Sequence, residues 1–209
     1  MSSKTIGRAS LTGTGVNQSF ISTNGSPYRL AANTTYLYWT NGASNVVGRA
    51  SLNGTGVNQS FVIVIKDAVS LAVDSHYLYW GELEGAIGRT NLDGSTSGIN
   101  GALVPLHPGE PVSGLAVDAQ HIYWSQANNV GRSNLDGTGI AQSFVTGGNQ
   151  VTGVALDEGA FAVTTTALPI ATAGAKYATR LQAFAGIAPY TWSLSSGRCR
   201  RGCRCLRPG

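Results

Sequence analysis

The chain has 209 residues, of which 42% are hydrophobic and only 11% charged, with 28 glycines. This composition can bury a core, and it suits short strands joined by tight turns better than long solvated helices, so an all-β fold is expected. The formal charge of +4 does not point to nucleic acid: five of the 14 Lys and Arg (Arg198, Arg200, Arg201, Arg204 and Arg207) fall in the last twelve residues, and the remainder carries nine basic against ten acidic side chains, whereas a phosphate backbone asks for a basic surface organised over a domain.

No run of about 20 apolar residues exists, so no membrane span is expected. The start MSSKTIGRASL lacks the apolar stretch of a signal peptide. All three cysteines, Cys199, Cys203 and Cys205, lie in the basic tail, and the first 198 residues hold no thiol.

In chain order, the first distinctive segment is Arg8 to Phe20, RASLTGTGVNQSF, which returns at Arg49 to Phe61 with one difference in thirteen positions. Two looser copies follow, GRTNLDGSTSG from Gly88 and GRSNLDGTGIAQSF from Gly131, so a Gly-Arg pair places Arg8, Arg49, Arg89 and Arg132 at steps of 41, 40 and 43 residues. Before each later copy stands a second block: LAANTTYLYW ending at Trp39, LAVDSHYLYW at Trp80 and LAVDAQHIYW at Trp124, with a worn relative, VALDEGAFAV, ending at Val163.

One unit reads as four strands, near Ser70 to Val73, Tyr77 to Gly81, Ala86 to Leu92 and Gly101 to Val104, separated by the turn pairs Asp74-Ser75, Glu84-Gly85 and Asp93-Gly94. Four short antiparallel strands in a repeat of about 40 to 45 residues describe a β-propeller blade. About four such blades are expected, as a closed four-blade ring or as an arc of a larger one. Residues 1–20 supply only an outer half-unit and residues 149–164 only an inner one, and the two could complete a single blade. Adjacent strand residues point to opposite faces, so Tyr38, Tyr79 and Tyr123 should fill one inter-blade gap while Trp39, Trp80 and Trp124 fill the other. Phe20, Phe61 and Phe144 should plug the outer parts of the gaps. In an open arc, an edge such as Phe61 to Ile65 would be exposed and prone to associate.

Tyr-Trp followed by Gly-Arg-x-x-Leu-x-Gly-Thr-Gly resembles the YWTD repeats, the class B repeats of low-density-lipoprotein-receptor-type proteins, over residues 1–164. The resemblance implies a six-bladed ring in the parent family that serves as a binding or domain-organising platform. The family's Asp after Tyr-Trp-Thr is here Asn41, Glu82 and Gln126, each of which keeps a polar oxygen. Residues 165–197 resemble the first half of the He_PIG immunoglobulin-like domain of bacterial surface proteins, through Leu168, Pro169, Ala171 and Gly174 and then Gly186, Pro189, Tyr190, Trp192 and Leu194. The match stops at residue 198. One legal encoding of Arg198 to Arg207, read two bases on, gives Leu-Pro-Ala-Gly-Leu-Ser-Leu-Ser-Pro, the motif with which that family would continue; residues 198–209 are therefore expected to be a frameshifted, disordered tail, and the gene's nucleotide sequence tests this.

Few residues suggest chemistry. The tail's C-x3-C-x-C run lacks a second ligand group and carries five arginines, so no metal site is expected there. His76 and His121 could stand at a channel mouth with Asp74, Asp118 and Asp157, as in propeller lyases of the virginiamycin B lyase-like group, but each lacks the paired acid or base that proton transfer needs. A ring of those Asp oxygens, with Asn33 at the matching place, could hold calcium; capping a turn by accepting backbone N–H is the favoured role. The repeated arginines could gather an anion, and pairing with a neighbouring blade's carboxylate or carbonyl is the favoured reading. The sequence thus points to a non-catalytic binding or scaffolding module of a bacterial surface or secreted protein, without cofactor, whose partner is a protein or glycan. The alternative is a lyase-type enzyme.

Overall fold

In the computed structural model, residues 4–41, 45–63 and 67–156 are described, together with the backbone of 162–163 and 183–184. The chain divides into two compact units, Met1–Leu156 and Asp157–Gly209. The Ig-like segment and the basic tail fall outside the described residues, apart from Ala183–Phe184. In the second unit β15 (Ala162–Val163) pairs with β16 (Ala183–Phe184).

The first unit is a row of antiparallel sheets. A two-stranded half-blade, β1 (Thr5–Arg8) and β2 (Asn17–Ser22), comes first. Blade 1 follows as β3 (Pro27–Ala32), β4 (Tyr36–Asn41), β5 (Val46–Ser51) and β6 (Asn58–Ile63). Blade 2 is β7 (Ala68–Val73), β8 (Tyr77–Glu82), β9 (Ala86–Asn91) and β10 (Asn100–Pro105). Blade 3 is β11 (Gly114–Val117), β12 (His121–Gln126), β13 (Asn129–Asn134) and β14 (Ala141–Val145). Each full blade is a plain four-stranded meander. Their first strands lie side by side, β7 between β3 and β11. A single 3-10 turn, Thr96–Gly98, is the only helical element among the described residues.

This is the expected all-β propeller-type arrangement in its open form: among the described residues three four-stranded blades follow a half-blade, and the sheets do not close into a ring. Of the two alternatives the sequence left open, the described residues show the open one: β1 pairs with β2 alone among them. Residues 151–156 nonetheless follow the path of a fourth inner strand, with Val151 N–H donating to the Ala127 carbonyl at 2.9 Å and Gly153 running past Gly114 on β11.

The core is built in the gaps between blades. Register explains why. In blade 2, Leu71 pairs with Trp80 and Trp80 with Gly88, so the three share one face; Ala72, Tyr79 and Arg89 share the other. Trp80 accordingly packs with Tyr38, Phe61 and Val62 of blade 1, whereas Tyr79 packs with Trp124, Leu115 and Ile122 of blade 3. Trp39 meets Ile6 and Ile21 of the half-blade. Trp39, Trp80, Trp124, Tyr38 and Tyr79 are completely buried; aromatic side chains of this size dominate the packing energy. At the outer strands Phe61 and Val62 are buried in the gap to blade 2 while Ile63 beside them is 68% exposed, and residues 64 and 65 lie outside the described residues. Phe144, expected to plug a gap, is exposed, since no further outer strands cover it among the described residues.

Candidate functional site

The recurring polar residues sit where register puts them. Arg49, Arg89 and Arg132 lie on the Tyr face of their sheets, and Arg8, Arg49 and Arg89 reach the next blade. Arg8 Nη1 donates to the Leu52 carbonyl at 3.3 Å, Arg49 Nη1 to Leu92 at 2.9 Å and Arg89 Nη1 to Leu135 at 2.7 Å. The guanidinium also lies on aromatic rings: Arg8 on Phe20 at 4.3 Å, Arg49 on Phe61 at 4.0 Å and Tyr36 at 4.3 Å, and Arg89 on Tyr77 at 4.2 Å. Arg132 stacks on Phe144 at 4.3 Å but has no carbonyl of a further blade beyond it among the described residues. The arginines are therefore spread one per blade junction, not gathered around an anion.

Asp74 and Asp118 occupy the turn after the inner strand. Asp74 Oδ1 accepts the N–H groups of His76 and Tyr77, both at 2.6 Å, and its Oδ2 accepts the Tyr79 hydroxyl at 3.0 Å. Asp118 repeats this, with Gln120 N–H at 2.7 Å, His121 N–H at 2.6 Å and the Tyr123 hydroxyl at 3.1 Å. Asn33 caps the same turn of blade 1 through Thr35 and Tyr36 N–H, at 2.9 and 2.8 Å. Burial works to raise the Asp118 pKa, but the Gln120 and His121 N–H groups and the Tyr123 hydroxyl together hold it below the usual carboxylate range. Tyr79 is pushed up, first by burial and then by the Asp74 charge beside its hydroxyl.

The histidines lie on the same turns of blades 2 and 3. His76 is exposed and its Nδ1 is 2.8 Å from the Ser75 hydroxyl; His121 Nδ1 lies 3.7 Å from Asp118 Oδ1. Asp157 is outside the described residues. Among the described residues no three His, Cys, Asp or Glu side chains gather in the manner of a metal site, and both oxygens of Asp74 and of Asp118 already accept from protein donors.

Where the YWTD pattern has Asp, the three replacements have diverged. Gln126 Nε2 donates to the carbonyls of His107 at 3.2 Å and Glu110 at 2.8 Å, tying blade 3 to the strap that enters it from blade 2. Glu82 is buried and accepts the Trp80 indole N–H at 3.3 Å. Asn41 is buried at the end of β4.

Sequence reading overlooked two partners. One is the Leu of Gly-Arg-x-x-Leu, whose carbonyl is the acceptor for the preceding blade's Arg; its recurrence three positions after each Arg was visible, but a backbone acceptor leaves no mark on residue type. The other is the Gly of the Gly-Arg pair. A Cβ on Gly48, Gly88 or Gly131 would stand 2.2 to 2.3 Å from the indole of Trp39, Trp80 or Trp124, so the tryptophan ring lies across a strand that must be bare there.

Blades that alternate Tyr-face and Trp-face packing and are joined by arginine ties define a β-propeller-type module. Comparison with solved structures agrees. The chain is similar in fold to the computationally designed Ika4 protein, with a TM-score of 0.51 and 13% identity over 81% of this chain and 98% of that one. It also resembles a chain of the nidogen/laminin complex, with a TM-score of 0.50 and 21% identity over 62% of this chain and 52% of that one. The designed Ika8 protein matches at a TM-score of 0.49 and 13% identity, over 72% and 46% of the two chains. The chain thus spans about half the length of the last two. No family model matches it, and no curated protein is similar to it in sequence.

Proposed function

We propose that the chain is a non-catalytic binding module, a propeller-type scaffold from a bacterial surface or secreted protein that holds a protein or glycan partner. The observation that carries this reading is the use to which the recurring polar side chains are put. Arg8, Arg49 and Arg89 are committed to blade junctions, and Asp74 and Asp118 to turn caps, with both oxygens engaged. What remains for contact is the exposed turns and sheet rims, which suit recognition rather than proton transfer. The nidogen chain was crystallised with laminin; that likeness is one of fold, and it motivates laminin as a first protein probe.

A lyase-type enzyme is the second reading, favoured by the 3.7 Å approach of His121 to Asp118. The two are separated by immobilising the full chain and measuring its binding to laminin and to a glycan array, while assaying lactone-opening and elimination substrates. Saturable binding to at least one probe, unchanged in His121→Ala, supports the module. Turnover that His76→Ala or His121→Ala abolishes, with no binding to any probe, overturns it.

A further inference from the structure

The two ends of the blade row are complementary halves of one junction. Each of the three internal junctions is made the same way. An Arg donates to a Leu carbonyl on the next blade's outer turn. Beside it an apolar side chain at the Phe position, Phe20, Phe61 or Leu103, meets the turn glycine of that blade, Gly54, Gly94 or Gly137. The following residue is sealed in the gap.

Blade 3 presents the donor half of a fourth such junction with nothing on it. Arg132 lies over Phe144, yet Phe144 is 46% exposed where Phe61 is 7%, and Val145 is 53% exposed where Val62 is 3%. The half-blade presents the acceptor half. Leu11, which matches Leu52, Leu92 and Leu135, is fully exposed. Gly13 matches the glycine that receives the Phe, keeps the same left-handed backbone (φ 77° against 86° at Gly54), and has nothing within 4 Å of where a Cβ would stand, whereas Gly54 has Phe20 at 2.9 Å. On blade 1 the inner strand is bare as well: Leu30 is 51% exposed where its counterparts Leu71 and Leu115 are 8%, because the half-blade brings no inner strands to cover it.

We propose that these faces join between two copies of this chain, Arg132 and Phe144 of one docking on the Leu11–Gly13 turn of the other, and reciprocally, in a closed two-copy ring. The surface is continuous with the three junctions already formed and repeats their chemistry. A chain closing on itself would place the half-blade and three blades at quarter turns, and blade 3 would then abut the half-blade. The row is open, with Phe144 at one end and Leu11 at the other both exposed. Closing it alone would bend junctions whose Trp and Tyr side chains are completely buried and close-packed. A second copy covers both faces without rebuilding those junctions, residue i meeting j and j meeting i.

Size-exclusion chromatography with light scattering tests this on the full chain. The expected mass is twice the 21.6 kDa of one chain. Arg132→Glu and Phe144→Asp, each with an unchanged far-ultraviolet circular dichroism spectrum, are expected to run at the single-chain mass. In a background with the three tail cysteines replaced by serine, Gly13→Cys chains mixed with Phe144→Cys chains should form a disulfide-linked pair. A single-chain mass for the unmodified protein overturns the proposal. So does a Gly13→Cys/Phe144→Cys double variant that crosslinks within one chain, or an open ladder of larger species.

Discussion

Arg49 Nη1 donates to the Leu92 carbonyl across the junction of blades 1 and 2 at 2.9 Å, while its guanidinium lies between Phe61 and Tyr36. One side chain thus ties two sheets and covers the outer end of their shared core. A charge-assisted hydrogen bond and a partly buried cation–π contact together contribute about 2 to 3 kcal/mol. Arg49→Ala is expected to lower the unfolding free energy by that amount in urea titration. A change under about 0.5 kcal/mol, the size of an ordinary surface substitution, would show that the tie contributes nothing.

Gly88→Ala should be far more damaging than its conservative appearance suggests. The added methyl would stand 2.3 Å from the Trp80 ring, in a junction with no room to yield, and overpacking of this kind costs about 3 kcal/mol. Gly7 holds the same place in the half-blade, where no Trp overlies it; its Cβ would stand 3.3 Å from Asn17 O and 3.4 and 3.5 Å from Gln18 Cα and Oε1. Gly7→Ala is expected to stay within about 1 kcal/mol of the parent. Equal effects of the two substitutions on the thermal midpoint would refute this account of the Gly-Arg pair.

Acid should weaken the fold through its capping carboxylates. The Asp118 pKa is held below the ordinary value in the folded chain, so its contribution is present above the unfolded-state pKa of about 4 and is lost as pH falls through the lower folded value. Urea midpoints measured downward from pH 5 should decline, and Asp118→Asn should decline less steeply than the parent. Parallel curves for the two proteins would remove Asp118 from the explanation.

Alkali acts with the opposite sign. Tyr79 is raised by burial and by Asp74, Tyr38 chiefly by burial, and Tyr123 by burial and by its bond to Asp118. Their contribution is whole below about pH 10 and is lost as pH climbs toward the folded values. Ionisation of these three tyrosines should therefore coincide with loss of far-ultraviolet signal, and Tyr79→Phe should make the alkaline loss of stability shallower. An alkaline loss of stability equally steep in the parent and in Tyr79→Phe would contradict this.

Calcium should not matter to the described turns. Asp74 and Asp118 already accept from two N–H groups and a hydroxyl each, leaving no cluster of oxygens for a cation that takes six to eight. Thermal midpoints in calcium and in chelator are expected to coincide; a difference above about 2 °C, on the scale by which a bound ligand stabilises a small domain, would call for a site.

Much of this was legible from residue type alone, for a definite reason. The spacing of Tyr-Trp and Gly-Arg exposes the blade because strand alternation sends neighbouring side chains to opposite faces, so Tyr79 and Trp80 had to serve different gaps. The Asp74 and Asp118 caps were legible too, since a side chain that accepts N–H groups two and three residues on needs nothing from afar.

What only the tertiary structure decided are relationships between strands and between blades. That Gly88 is bare because the Trp80 indole lies on it depends on strand register within blade 2. That Arg49 ends on the Leu92 carbonyl and that Gln126 ends on the strap between blades 2 and 3 depend on which sheets adjoin. The same holds for closure. The repeat specifies how one blade meets the next, but the angle of that meeting arises from side-chain packing across the gap, and it leaves Phe144 and Leu11 uncovered at opposite ends of an open row.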